Sequence, residues 1–127
     1  MKWKLKGKKK YSLIRFFKGF GYAFNGIISA LKTEQNLLIE LILGMIFVGL
    51  GLYFKISNLE LCIIIVCIGI LLSLELINTA IENIVDMTMP QVHPLAKLAK
   101  DTGAGAILIF SIITIIVVLI IMIPRIF

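Results

Sequence analysis

Three stretches of the sequence, at about 36–54, 59–85 and 103–124, are long and apolar enough to cross a bilayer. A hydrocarbon core of ~30 Å takes about 20 helical residues, and each stretch meets that length. A chain of 127 residues cannot hide all three from water, because small domains leave much of their surface exposed. Composition agrees: 60% of the residues are hydrophobic and 16% are charged, against about 45–50% and ~25% in soluble domains. Disordered, collagen-like and disulfide-scaffold chains are excluded by the same figures. Cys62 and Cys67 point different ways around one apolar helix and read as ordinary apolar residues. Turn formers separate the spans: Ser57 and Asn58 first, then Pro90 and Pro94 in a connection at 87–102. The expected fold is a single all-α membrane domain.

Charge placement sets the orientation. Of the thirteen Lys and Arg residues, Lys2, Lys4, Lys6, Lys8, Lys9, Lys10, Arg15, Lys18 and Lys32 all precede residue 33, and the net charge is +6. A nucleic acid is the first partner such a cluster suggests, but a basic tail (1–12) ahead of membrane spans is what the positive-inside bias predicts for a cytoplasmic N-terminus. No secretory signal is expected, because Arg15 and Lys18 interrupt the next apolar stretch and no small-residue cleavage site follows. In 13–31, Leu13, Phe16, Phe17, Phe20, Phe24, Ile27, Ile28 and Leu31 recur at three-and-four spacing. That predicts an amphipathic helix lying in the membrane surface, with packing on a partner protein as the alternative. Three spans from a cytoplasmic N-terminus return the 87–102 connection, with Lys97 and Lys100, to the cytoplasm.

Acidic residues stand where lipid should forbid them. Glu34 and Glu40 lie at the start of the first span; Glu75 and Glu82 lie within the second, followed by Asp86. An acidic residue at the centre of a membrane helix costs roughly 2.5–3.5 kcal/mol on insertion scales. At 100° per residue, Glu75, Asn78, Glu82 and Asp86 fall in a sector of about 80° on one helix face, in a stripe ~16 Å long. Glu34, Lys100 and Asp101 reach the same membrane–water boundary from the other spans. Carboxylates without thiolate ligands suit a hard cation such as Mg²⁺, which is commonly held by one or two carboxylates plus substrate phosphates. A further carboxylate in low dielectric is a stronger base than one in water, suited to taking a proton from a hydroxyl. Phosphoryl transfer at a membrane surface fits this set. A proton or cation pathway fits it nearly as well, and a polar interface between subunits is a third possibility. No Walker phosphate loop and no H-R-D or D-F-G element is present.

The string E-L-I-N-T-A-I-E at 75–82, then Asp86, then A-K-L-A-K-D at 96–101 and G-A-G-A at 103–106 resembles the integral membrane prokaryotic diacylglycerol kinases, which include undecaprenol kinases. The likeness extends through Arg15, Lys18, Gly21, Tyr22 and Glu34 and covers about residues 13 to 123. It implies a homotrimer of chains with one surface helix and three transmembrane helices, and active sites shared between subunits. It also implies transfer of the ATP γ-phosphate to a lipid hydroxyl with Mg²⁺. By matching position, Glu75 is the implied general base, and Glu34 and Glu82 the metal ligands. Arg15, Tyr22, Gln91, Val92, His93, Lys100 and Asp101 are implied to line the nucleotide site, with Asn78 and Asp86 supporting the catalytic constellation. The chain departs from the family pattern at Gln91 and Val92, where an acidic and an aromatic residue are usual, so contacts there fall to backbone atoms or are lost. The basic leader and the sequence around Asn25 and Thr33 look like the Gram-positive branch, which implies undecaprenol rather than diacylglycerol as the lipid. Glu40 has no implied catalytic role and is expected as a polar contact between helices.

Overall fold

The computed structural model describes residues 11–89 and 93–127; the lysines of the leader, Gln91 and Val92 lie outside the described residues. Four helices follow in order: α1 Leu13–Thr33, α2 Gln35–Tyr53, α3 Asn58–Thr88 and α4 Pro94–Ile126. There is no strand among the described residues.

Helix α1 starts at Ser12, whose hydroxyl accepts from the Arg15 backbone N–H at 3.5 Å. Its Phe face is exposed, with Phe16, Phe17 and Phe20 in edge-to-face and tilted contact, and only Ala30 is buried. A helix with an apolar stripe left uncovered by its own chain suits a membrane surface. Glu34, with φ −108° and ψ 106°, is a single extended residue between α1 and α2. The chain therefore breaks its helix at Glu34, one of the acidic residues singled out in the sequence.

Helix α2 ends in a Schellman turn: Ile56 N–H donates to Gly51 O at 3.1 Å and Lys55 N–H to Leu52 O at 3.2 Å. Lys55 occupies the left-handed position, with φ 55°, that glycine usually takes. At Gly51 an added Cβ would lie 2.7 Å from Ile56 Cδ1, the movable end of that side chain. Helix α3 then opens on a full capping box. The Glu60 N–H donates to Ser57 Oγ at 3.1 Å and the Ser57 N–H to Glu60 Oε1 at 2.9 Å. Arg125, in the last turn of α4, also pairs with Glu60 and ties that end of the bundle together.

Helix α4 starts well ahead of the apolar run at Gly103, so Lys97, Lys100 and Asp101 are helical rather than part of a connection spanning 87–102. Its start has a local cause. His93 caps it, accepting the Leu95 N–H on Nδ1 at 3.1 Å, and Pro94 occupies the first turn, where no N–H is needed. At 1.5 Å per residue, α3 and α4 are about 46 and 50 Å long, and both outrun a ~30 Å hydrocarbon core.

Helix α3 is the centre of the bundle, packed between α2 and α4, with α1 touching lightly. Its two ends are buried differently. Toward the α2–α3 turn the interior is apolar: Ile64, Val118, Ile121 and Met122, with Phe47, Phe54 and Ile68 against them. Toward the other end the buried residues of α3 are Glu75, Asn78 and Thr79. No more than 22% of the apolar window of any span is buried inside the chain, so most of the apolar surface faces lipid or a neighbouring protein.

Candidate active site

The stripe on α3 forms the floor of the polar end. Glu75 is only 4% exposed. The Thr79 hydroxyl donates back to the Glu75 carbonyl at 2.9 Å, which removes a competing donor from the interior. One turn along, Asn78 Nδ2 donates to Glu82 Oε1 at 3.0 Å, while Asn78 Oδ1 is buried without a donor. With Glu82 ionised this amide orientation is the favoured one, because the opposite flip would set two oxygens against each other.

Other helices bring further charge to this floor. The Glu34 and Glu82 carboxylates are both felt electrostatically at Glu75. Glu40, a little over one turn into α2, adjoins the Glu75 carboxyl and leaves Oε2 buried without a partner. Asp86 near the end of α3 pairs with Lys100 near the start of α4. Thus Glu34, Glu75, Asn78 and Glu82 converge at one end of the bundle, with the Asp86–Lys100 pair at its rim. Asp101 is turned to Lys97, one helical turn back on α4, at 2.6 Å in solvent. His93 spends Nδ1 on capping, and among the described residues Nε2 has no hydrogen-bond partner. Arg15 and Tyr22 are exposed on α1, about 28 and 18 Å along that helix from Glu34 at 1.5 Å per residue. Gln91 and Val92 cannot be placed, lying outside the described residues.

Two hollows flank the carboxylates. An open cleft of about 480 Å³ runs between α1 and α3, bounded by Gly26, Ser29, Thr33, Thr79, Ala80 and Asn83. A cavity of about 240 Å³ extends from Glu40 into the apolar zone between Phe47, Ile68, Leu72, Ser111 and Thr114. Glu40, expected from sequence as a polar contact between helices, makes that contact at Glu75 of α3. Its position inside an apolar span marked it, but its pairing with Glu75 depends on the register of α2 against α3.

Within a single chain, no cluster of three or more His, Cys, Asp or Glu side chains is arranged to hold a metal among the described residues. A cation that completes its shell with phosphate oxygens and water needs only one or two carboxylates. Among the described residues Glu82 Oε1 is held by Asn78 and Oε2 takes no hydrogen bond, and Glu34, between α1 and α2, lies near enough to act electrostatically on Glu75. The donor set fits such a cation.

Sequence comparison speaks to the same residues. The family model for prokaryotic diacylglycerol kinase matches residues 21–122, which includes every carboxylate of the site. The chain belongs to this family. Its relatives include the undecaprenol kinase of Bacillus subtilis (strain 168), 42% identical over 113 residues that cover 89% of this chain and 92% of that one. A diacylglycerol kinase of Synechocystis sp. is 34% identical over 99 residues, covering 77% of this chain and 57% of that one. The diacylglycerol kinase of Escherichia coli (strain K12) is 28% identical over 102 residues, covering 80% and 84%. Members of the prokaryotic diacylglycerol kinase family are lipid kinases, so this chain is a membrane phosphotransferase.

Proposed function

We propose that the protein is a homotrimeric kinase of the cell membrane that transfers the ATP γ-phosphate to undecaprenol on the cytoplasmic side. The observation that carries this reading is the buried Glu75, with Glu82 about 10 Å nearer the helix end on the same face. The deeper carboxylate meets a hydroxyl arriving from lipid, and the shallower one meets a nucleotide arriving from water. The cavity running from Glu40 into the apolar zone offers room for the first carbons of a lipid tail. The Bacillus subtilis relative, an undecaprenol kinase, supports that lipid over diacylglycerol.

Glu75 accepts the hydroxyl proton as general base, which typically contributes 10²–10⁴-fold. Glu34 and Glu82 hold Mg²⁺, which when bound supplies charge neutralisation at the phosphates. Asn78 keeps Glu82 in place, and Asp86 holds Lys100 where its ammonium can meet phosphate oxygens. Arg15, Tyr22, Gln91, Val92, His93 and Asp101 complete the nucleotide site. Arg15 and Tyr22 lie exposed on α1, and in this reading they serve a site shared between neighbouring subunits. The lysine-rich leader keeps the N-terminus, and hence the site, on the cytoplasmic side.

A proton or cation pathway draws less support. The polar stripe ends at Glu75, and beyond it the interior of the chain is Ile64, Val118, Ile121 and Met122. The deciding assay supplies purified protein with radiolabelled ATP, Mg²⁺ and either lipid. Phosphorylated undecaprenol in excess over phosphatidic acid is expected; the reverse ratio reassigns the lipid, and no labelled product with either rejects the reading.

A further inference from the structure

Gly103 stands apart from the other described glycines. At Gly19, Gly21, Gly26, Gly49, Gly69 and Gly105 an added Cβ would meet nothing within 4 Å, and at Gly44 and Gly51 it would meet the ends of isoleucine side chains. At Gly103, on α4, it would overlap Asn78 Oδ1 on α3. The colliding atom is the tip of a side chain rather than backbone, so the helices need not part. What must move is the Asn78 amide.

That amide is held from two sides only. Nδ2 donates to Glu82 Oε1 at 3.0 Å, and Oδ1, buried and without a donor, rests against the bare face of Gly103. Asn78 is 7% exposed, so no bulk water can take over if it turns. We propose that Gly103 is a positioning residue for phosphoryl transfer: by presenting no side chain, it lets the Asn78 amide lie where Nδ2 fixes the Glu82 carboxylate. This rests on the reading of Glu82 as a metal-holding residue. Partners behind a metal ligand typically alter metal affinity or activity 10–100-fold. Gly103 acts one step further back, through packing, and its effect belongs at the lower end of that range.

The test titrates MnCl₂ into the detergent-solubilised full-length chain saturated with a non-hydrolysable ATP analogue, following free Mn²⁺ by electron paramagnetic resonance against protein-free blanks of the same analogue, in parallel with Mg²⁺-dependent lipid phosphorylation. Gly103→Ala is expected to weaken Mn²⁺ binding about tenfold, and to raise the Mg²⁺ concentration for half-maximal rate by a similar factor, with the KM for lipid unchanged. Gly105→Ala, two residues along the same helix with open space at its Cβ, controls for helix propensity and stays within about twofold. The double variant Asn78→Ala/Gly103→Ala should bind Mn²⁺ no more weakly than Asn78→Ala alone, because both changes remove one link. If Gly103→Ala cannot be purified, the double variant answers instead: with Asn78 shortened the added methyl has room, so yield recovers and Mn²⁺ binding matches that of Asn78→Ala. Gly103→Ala binding Mn²⁺ like Gly105→Ala overturns the proposal, as does a double variant that fails to fold or whose losses multiply. Glu82→Gln separates the two levels. Wild-type Mn²⁺ binding in that variant removes the metal-holding role of Glu82 itself, whereas weakened binding there beside an unaffected Gly103→Ala removes only the role of Gly103.

Discussion

Glu75 is a carboxylate only 4% exposed inside an apolar bundle, and the proposed function makes it the general base. Replacing it with Gln keeps its shape and removes its capacity to take a proton. Glu75→Gln should lower kcat by about 10²-fold or more, with the subunit assembly unchanged by size-exclusion chromatography; near-normal turnover would exclude the general-base role. Glu75, Asn78 and Glu82 were legible in the sequence because positions three and four apart share a helix face. Glu40 was legible as a polar contact between helices, but not the contact it makes. Its neighbour Glu75 lies on a different helix, and no one-dimensional pattern carries the register between helices. Gly103 was legible merely as a small residue, since the side chain it accommodates is on α3.

Helix ends were less legible than helix faces. Ser57 reads in sequence as a turn former, whereas it is the N-cap of α3 with Glu60 completing the box. The S-x-x-E spacing was there to be read. Ser57→Ala should cost about 1 kcal/mol, seen as a lower thermal transition of the micelle-embedded chain. Lys55, held at φ 55°, gives the opposite sign: an L-residue in that region costs roughly 1–2 kcal/mol, so Lys55→Gly should raise the transition, although part of the gain is offset by glycine's greater freedom in the unfolded chain. A transition unmoved by either change would mean that the α2–α3 turn opens independently of the bundle. The start of α4 was placed too late from hydropathy because apolarity reports only the portion in lipid. Beyond it the helix continues through polar surroundings, started by His93 and Pro94 and tethered to α3 by the Asp86–Lys100 pair.

At the scale of the whole molecule, the proposed function makes the site one that neighbouring subunits share. The carboxylates gather on α3 and at the α1–α2 hinge, while Arg15 lies at the far end of α1, and large apolar side chains such as Leu108, Ile109 and Ile120 remain exposed on α4. A site completed by a neighbouring subunit predicts complementation. Chains carrying Glu75→Gln and chains carrying Arg15→Ala, each inactive alone, should recover a measurable fraction of wild-type turnover when co-reconstituted. No recovery would place both residues in the site of a single chain. Mixing after separate assembly should restore activity only as fast as subunits exchange, which chemical cross-linking can follow.

The sequence by itself determined the solvent, the number of spans and the face of α3 that carries the acids, because these follow from composition and from the 3.6-residue repeat, and its E-L-I-N-T-A-I-E and A-K-L-A-K-D strings marked the family. Only the tertiary structure decided that Glu40 would stand beside Glu75, that Gly103 would make room for Asn78, and that Lys100 would reach Asp86. Those pairings depend on how far one helix is slid and rotated against the next. That displacement is set by the packing of many side chains together, such as Ile68 against Gly44, and no local stretch of sequence encodes it.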